Sequence, residues 1–197
     1  MQLDQVIQTR RSIRNFKPDP VSDEAISDIL EAARLAASGS NIQPWRFVVI
    51  KSQEIKEKLK GATRWRFALK APVIIACCSN LLAADGRPDR LVELTQAGVF
   101  DNVEMDGEYS PPEKNREQLL AYLNMNVGIA ITHMMLKAVD LGLGTCWIGG
   151  FDPLKTKEIL ALDDNLHIVA LLPIGYPERV PAQRPRFPLE KLIIKTV

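Results

Sequence analysis

The sequence predicts one α+β domain, residues 1–197, in which helices surround a central sheet. Two stretches, one after Ser22 and one across 117–141, repeat apolar residues at helical spacing. Three short apolar runs have the length and composition of core strands, at 46–51, 72–78 and 167–172. A chain of 197 residues, 46% hydrophobic and 25% charged, is long enough to bury a substantial core.

The first half of the chain is predicted to alternate short helices and strands. Apolar spacing within residues 3–7 indicates a first helix that leads into a run of arginines. Ser22 is a good N-cap for the second helix, and Gly39 and Asn41 are expected to end it. A charged surface helix is predicted at 53–60, between the strands at 46–51 and 72–78.

Residues 79–116 are predicted to form a long excursion from the sheet, with about one helical turn near 91–99. Periodic apolar positions are few, and loops of this length are usually lids or disordered segments. The segment contains five residues that interrupt regular structure: Gly86, Pro88, Gly107, Pro111 and Pro112.

The predicted helix at 117–141 is apolar on more than one face, so it lies at the centre of the monomer or between two subunits. Asp152 and Pro153 are suited to begin the next helix, as N-cap and first residue. The tail at 177–197 has four prolines within twelve residues and is therefore expected to be an extended arm. Its strand-like end at 192–194 is expected to dock onto a partner subunit.

Composition excludes several classes of protein. A net charge of +1 argues against a dedicated nucleic-acid-binding protein, and no run of 18 apolar residues indicates a membrane span. The N-terminus does not resemble a signal peptide, so we expect a cytoplasmic protein. No motif for a Rossmann domain or a P-loop occurs, and no metal site or catalytic acid–base residue is predicted. Cys77, Cys78 and Cys146 are interpreted as core thiols. His133 and His167, each within an apolar run, are interpreted as structural residues.

Two segments on either side of the second helix suggest a phosphorylated, planar cofactor. Three arginines and a serine within five residues form a concentrated anion-binding set: Arg10, Arg11, Ser12 and Arg14. The second segment is small and polar, and such a backbone can approach a flat ring closely: Ser38, Gly39, Asn41 and Gln43.

Each segment also has a purely structural interpretation. The arginines could form a solvated basic turn at a helix C-terminus, and the small polar segment could be a helix cap and turn. Gly149 and Gly150 could be a simple turn after a strand. Arg184 and Arg186 could be solubilising charges on the arm, although their place around one proline favours a second phosphate contact.

Four blocks of the sequence resemble the FMN-dependent nitroreductases, in the order expected for that family. They cover nearly the whole chain except 81–117. The blocks are the run from Arg10 to Phe16, the segment from Ser38 to Phe47, the segment from Gly142 to Phe151, and Pro173 to Pro177 followed by Arg184 to Arg186.

This resemblance implies a nitroreductase-like fold, with a mostly antiparallel sheet, in an intertwined homodimer with FMN at the interface. NAD(P)H would reduce the flavin, which would then reduce a nitroaromatic or a quinone in a ping-pong reaction. In relatives a backbone N–H of the Gly142–Phe151 block points at flavin N5, and some carry an acidic residue in place of Gly149. The resemblance implies that Trp147, Ile148, Gly149 and Gly150 contact the cofactor, together with Arg184 and Arg186. It implies the same of the two segments that flank the second helix: Arg10, Arg11, Ser12 and Arg14, and Ser38, Gly39, Asn41 and Gln43.

Other functions remain open at this point. Relatives include a flavin-destroying enzyme, dehalogenases and dehydrogenases, and the excursion at 79–116 would be the lid that distinguishes them. A non-catalytic flavin-binding protein is the third possibility.

Overall fold

The computed structural model describes residues 1–103 and 114–197, which fold around a four-stranded antiparallel sheet. Gly107, Pro111 and Pro112 of the predicted excursion lie outside the described residues. The order of the strands in the sheet is β1-β2-β4-β3. Their bounds are β1 Trp45–Ile50, β2 Val73–Asn80, β3 Gly144–Thr145 and β4 Leu166–Gly175.

The helices of the described residues cover both faces of this sheet. One buried cluster joins α2 and α6 to the sheet, and a second joins α3, α4 and α7 to the opposite face. The α+β prediction is therefore confirmed. The helices are α1 Leu3–Thr9, α2 Asp23–Arg34, α3 Gln53–Leu59, α4 Arg66–Leu69, α5 Arg87–Gln96, α6 Arg116–Asp140 and α7 Pro153–Ile159.

Strand β2 is buried on both faces, which explains its continuous apolar sequence. Ile75 and Cys77 belong to the cluster under α2 and α6, whereas Ile74 and Cys78 belong to the opposite cluster. All three cysteines are free and buried, as predicted. Burial raises the pKa of Cys78 to about 11, so this thiol stays protonated at neutral pH.

Helix α6 is the central helix of the domain. Its buried face includes Leu123, Ile131 and Met134, each with no exposed surface. On its other side Met125 is 58% exposed and Ile129 is 37% exposed. Among the described helices, α6 is the one long and apolar enough to cross a membrane by length and composition.

The structure differs from the prediction where short elements depend on tertiary contacts. Helix α2 ends at Arg34, and Gly39–Asn41 form a separate 3-10 turn. Helix α5 is ten residues long, with a proline in its first turn, so the predicted single turn was too short. Helix α5 packs against that 3-10 turn, a contact that local periodicity does not reveal.

The C-terminal arm lacks the strand predicted at 192–194. Leu189–Lys191 form a 3-10 turn, and the residues that follow are irregular. Ile194 is 99% exposed, so its apolar side chain packs against nothing in its own chain. A strand requires a neighbouring strand, and this segment has none within the part of the chain that the structure describes.

Candidate functional site

The arginine run leaves α1 and is fixed against the sheet. Arg10 is the C-terminal capping residue of α1. Ser12 forms a parallel bridge with Thr145 of β3, and the Ile13 amide donates a hydrogen bond to the Thr145 carbonyl at 2.9 Å. The backbone of the run is therefore held beside the block that contains the predicted flavin-ring residues.

The start of the C-terminal arm pairs with the residues that follow this run. The Lys17 amide donates to the Tyr176 carbonyl at 2.9 Å, and the Glu178 amide donates to the Asn15 carbonyl at 3.0 Å. The arm then brings its two arginines back to the N-terminal run. A cavity of about 110 Å³ results, lined by Arg10, Arg11, Ser12, Arg14, Pro181, Ala182, Gln183, Arg184 and Arg186.

This arginine cavity is strongly electropositive, because five of its lining residues are arginines and none of those within 1–103 and 114–197 is acidic. A phosphate dianion matches that donor set, since guanidinium groups bind phosphate oxygens in pairs. The buried Thr145 hydroxyl has no hydrogen-bond partner among the described residues. Burial raises the pKa of the neighbouring Cys146 thiol, and the positive charges of Arg14 and Arg184 oppose that shift.

The arginines are not equivalent. Arg11 donates to the carbonyls of Gln8 at 2.6 Å and Arg10 at 2.9 Å, so its guanidinium also caps the end of α1. Arg14 donates to the Ser12 carbonyl at 3.2 Å and lies 6.0 Å from the centre of the Phe67 ring. For the arginine run, the structural alternative was a basic turn at a helix C-terminus. That role therefore belongs mainly to Arg11.

The segment from Ser38 to Gln43 is a strained loop. Ser40, Asn41 and Gln43 have φ values of 51°, 51° and 45°, a region that non-glycine residues rarely adopt. The Gln43 amide donates to Ser38 Oγ at 3.0 Å, and Gln43 Nε2 donates to Asn41 Oδ1 at 3.2 Å. Strain of this kind often accompanies ligand-binding loops.

Helix α6 fixes this loop at Gly39. The Gly39 amide donates to Asn126 Oδ1 at 2.9 Å, and Asn126 Nδ2 donates to the Tyr122 carbonyl at 2.7 Å. A Cβ atom at Gly39 would overlap the Tyr122 hydroxyl, so glycine lets this side chain of α6 approach the loop closely. Asn126 is 1% exposed. A polar side chain on an otherwise apolar helix could have indicated that it anchors another segment, but this role was not predicted.

The loop borders a second cavity, of about 890 Å³, between the loop and α5. Among the described residues, no charged residue lines this α5 cavity, and none of its lining residues is shared with the arginine cavity. Ser38 and Asn41 therefore lie apart from the arginines that were predicted to bind the same cofactor. The α5 cavity is lined by Ala37, Ser38, Ser40, Asn41, Leu91, Leu94, Thr95, Val99 and Phe100.

The predicted flavin-ring residues lie directly after β3. Ile148 exchanges two backbone hydrogen bonds with Leu171, each 3.0 Å, which joins it to the sheet. The amides of Gly149 and Gly150 have no acceptor within residues 1–103 and 114–197. Trp147 is 39% exposed. The two glycines therefore offer free N–H donors next to a partly exposed indole.

Trp65 closes one side of this turn, although it was not predicted from sequence as a site residue. A Cβ at Gly150 would lie 2.7 Å from Trp65 Nε1. Thr63 Oγ1 donates to the Gly150 carbonyl at 3.1 Å, and the Asp152 amide donates to the Ala62 carbonyl at 2.7 Å. Local sequence did not place Trp65 here because these contacts join segments some 85 residues apart.

Neither histidine is a core residue, because His133 is exposed on α6 and His167 is half-buried at the start of β4. His133 Nδ1 lies 3.2 Å from the Ala32 carbonyl. Burial lowers the pKa of half-buried His167. Neither histidine lines the arginine cavity or the α5 cavity.

The fold and the arginine cavity define an α+β protein with a candidate anion-binding site, and comparison with known proteins gives its family. The nitroreductase family model matches residues 7–176, and the chain belongs to that family of oxidoreductases.

Relatives are similar along nearly their full lengths. An NADH dehydrogenase of Thermus thermophilus is 30% identical, over 94% of this chain and 91% of the relative. YdgI of Bacillus subtilis, described as a presumed NAD(P)H nitroreductase, is 32% identical, over 87% and 86%. A presumed nitroreductase of Exiguobacterium sibiricum, solved in complex with FMN, superimposes with a TM-score of 0.83 at 26% identity, covering 100% of this chain and 98% of that one. The predicted nitroreductase-like fold is confirmed.

Proposed function

We propose that this enzyme uses FMN to transfer hydride from NAD(P)H to an electrophilic acceptor, such as a nitroaromatic or a quinone, in a ping-pong reaction. The observation that carries the proposal is the arginine cavity, where both ends of the chain converge without an acidic residue. The FMN bound by the Exiguobacterium relative supports the same cofactor. FMN has one phosphate, which suits a single cavity of this size.

The phosphate is held by four arginines and the serine of the arginine cavity, while the Arg11 guanidinium caps α1. Arg10 and Ser12 approach it from the N-terminal run, and Arg184 and Arg186 approach it from the arm. Arg14 completes the set beside Phe67. Charge-assisted hydrogen bonds of this kind are about twice as strong as neutral ones.

The ring of the cofactor belongs near the turn at 147–150. Bound FMN supplies a ring that accepts hydride at N5 and returns electrons to the acceptor. The free amides of Gly149 and Gly150 are the donors that would hold the ring edge, while Ile148 holds the turn on the sheet. Hydrogen bonds from backbone amides to the ring edge need no charged side chain, and no catalytic acid–base residue was predicted.

We further propose a homodimer, located in the cytoplasm, in which each FMN contacts both chains. Ser38, Asn41 and Gln43 would reach the ring from the partner subunit, since in their own chain they do not share the arginine cavity. Exposed Met125 and Ile129 on α6, together with the apolar end of the arm, provide the surface that a partner would bury.

Steady-state oxidation of NADH and NADPH, with a nitroaromatic or a quinone as acceptor, tests the reaction. We expect oxidation that depends on the acceptor, with parallel double-reciprocal plots. Loss of flavin absorbance during turnover would instead indicate a flavin-destroying enzyme. Bound FMN that neither nucleotide reduces would contradict the proposal and favour a non-catalytic flavin-binding protein.

A further inference from the structure

The segment between α3 and β2 carries an exposed basic patch beside the turn at 147–150. Lys58 and Lys60 form ion pairs with Glu54 and Glu57. Arg64 and Arg66 are exposed, and within the described residues no carboxylate lies within 4.0 Å of either guanidinium. We name Arg64 and Arg66, with Trp65 between them, the Arg-Trp-Arg patch.

Arg64 is held by an aromatic ring rather than by a counter-ion. Its Cζ lies 5.1 Å from the centre of the Trp65 ring. A guanidinium stacked in this way keeps its N–H edge available while its face is occupied, so it can still bind an anion in the plane of the group. Arg66 is restrained through a hydrogen bond from Nη1 to the Lys60 carbonyl, 2.6 Å long.

The patch is connected to both parts of the candidate site. Trp65 contacts Phe67 edge to face at 6.0 Å, and Arg14 of the arginine cavity lies 6.0 Å from the same Phe67 ring. On its other side Trp65 contacts Gly150. The Trp65 amide donates to Thr63 Oγ1 at 3.2 Å, which fixes the start of α4.

The FMN phosphate already has its donors in the arginine cavity, so the Arg-Trp-Arg patch is left for a second anion near the ring. The hydride donor is such an anion. NADH carries a diphosphate, and NADPH adds a 2′-phosphate, while no dinucleotide-binding motif occurs in the sequence.

We propose that Arg64 and Arg66 bind the phosphates of the nicotinamide nucleotide and make NADPH the preferred donor. This inference rests on the proposed function. Trp65 acts as a positioning residue that holds Arg64 in place. Because the patch lies outside the arginine cavity, its arginines affect binding of the donor and not retention of FMN.

The test compares Arg64→Gln/Arg66→Gln with Lys58→Gln, which removes a nearby charge that Glu54 already pairs. KM is measured for NADPH, NADH and reduced nicotinamide mononucleotide, which lacks the adenosine half. In the double variant we expect KM for NADPH to rise about tenfold or more, KM for NADH to rise less, and KM for the mononucleotide to change least. FMN content and kcat at saturation should stay at the wild-type level, and Arg64→Lys/Arg66→Lys should recover part of the loss.

Three results would overturn this inference. The first is an unchanged KM for both dinucleotides, and the second is an equal effect of Lys58→Gln, which would indicate only a general electrostatic field. The third is loss of FMN from the double variant, which would assign these arginines to the cofactor. Failure of the proposed function is distinguishable, because the wild-type flavin would then be reduced by dithionite but by neither nucleotide.

Discussion

At the scale of single residues, the candidate site depends on charges and glycines that the rest of the chain holds in place. Among the described residues, no acidic side chain lines the arginine cavity with its five arginines, so a bound anion would reduce their mutual repulsion. Gly39 and Gly150 act differently, because each lacks a Cβ atom where another segment approaches closely.

Arg10→Ala/Ser12→Ala should weaken FMN binding. Each lost charge-assisted contact costs about 1.5–3 kcal/mol, or roughly tenfold or more in affinity. Arg34→Ala is the matched control, since Arg34 is exposed and pairs with Glu31 on α2. Fluorescence titration of the apoprotein measures the dissociation constant. Equal affinities for the double variant and the control would show that the phosphate binds elsewhere.

Gly150→Ala should be more harmful than Gly149→Ala. A methyl group at 150 meets Trp65 Nε1 at 2.7 Å, whereas the nearest atom to a methyl at 149 is an ordinary 3.8 Å away. Overpacking of this kind typically costs about 1–3 kcal/mol. Thermal unfolding and NAD(P)H oxidation measure the effect, and Trp65→Ala should restore stability to the Gly150→Ala protein. If both alanine variants behave alike, Trp65 does not restrict the turn.

At the scale of elements, α6 is the support on which the strained loop rests. It contacts the sheet through Ile131 and Met134, and it holds the loop at Gly39 through Tyr122 and Asn126. A single helix thus connects the core to the loop that borders the α5 cavity.

Asn126→Ala should destabilise the protein by about 1–3 kcal/mol, because the Gly39 amide loses the acceptor for its hydrogen bond. Thr132→Ala on the same helix is the control, since Thr132 is exposed and its hydroxyl bonds only to the Gly128 carbonyl one turn earlier. Urea unfolding gives the free energies. Equal values for the two variants would mean that Asn126 does not anchor the loop.

The long and strongly patterned elements were predictable from sequence. The bounds of α6 were predicted within one residue, and Ser22 was correctly identified as the N-cap of α2. By contrast, α4 and β3 are only four and two residues long, too short for a periodic pattern.

The arginine cluster could be identified from sequence as a candidate anion site, but the geometry that closes its cavity could not. Clustered arginines indicated an anion site because the residue types alone carry that information. The pairing of Tyr176 and Glu178 with Asn15–Lys17, which closes the arginine cavity, joins segments some 160 residues apart. Trp65 was not predicted as a site residue, because its contacts with the turn at 147–150 also join distant segments.

At the scale of the whole molecule, one chain leaves apolar surface that a partner would bury. Phe187, Leu192 and Ile194 of the arm are 71%, 61% and 99% exposed. Together with the outer face of α6, they motivate the proposed homodimer, whose interface belongs to the class that buries about 2,000 Å² or more.

Light scattering should give a mass of about 44 kDa, twice the 22.0 kDa of one chain. Deleting 177–197 should abolish the dimer and FMN binding together, but it also removes Arg184 and Arg186. Ile194→Asp is the sharper variant, because this side chain has no contacts to lose within its own chain. We expect it to weaken the dimer, whereas Leu154→Asp, at an exposed position of α7, should not. A flavin-loaded monomer at micromolar concentration would contradict the shared site.

The central claim, a flavin enzyme reduced by a nicotinamide nucleotide, is tested most directly by the absorption spectrum of the purified protein. We expect a yellow protein with noncovalent FMN near one per chain, and bleaching of the flavin bands when NADPH is added without oxygen. A colourless protein that also fails to take up added FMN would contradict the account, as would a bound flavin whose spectrum neither NADPH nor NADH changes.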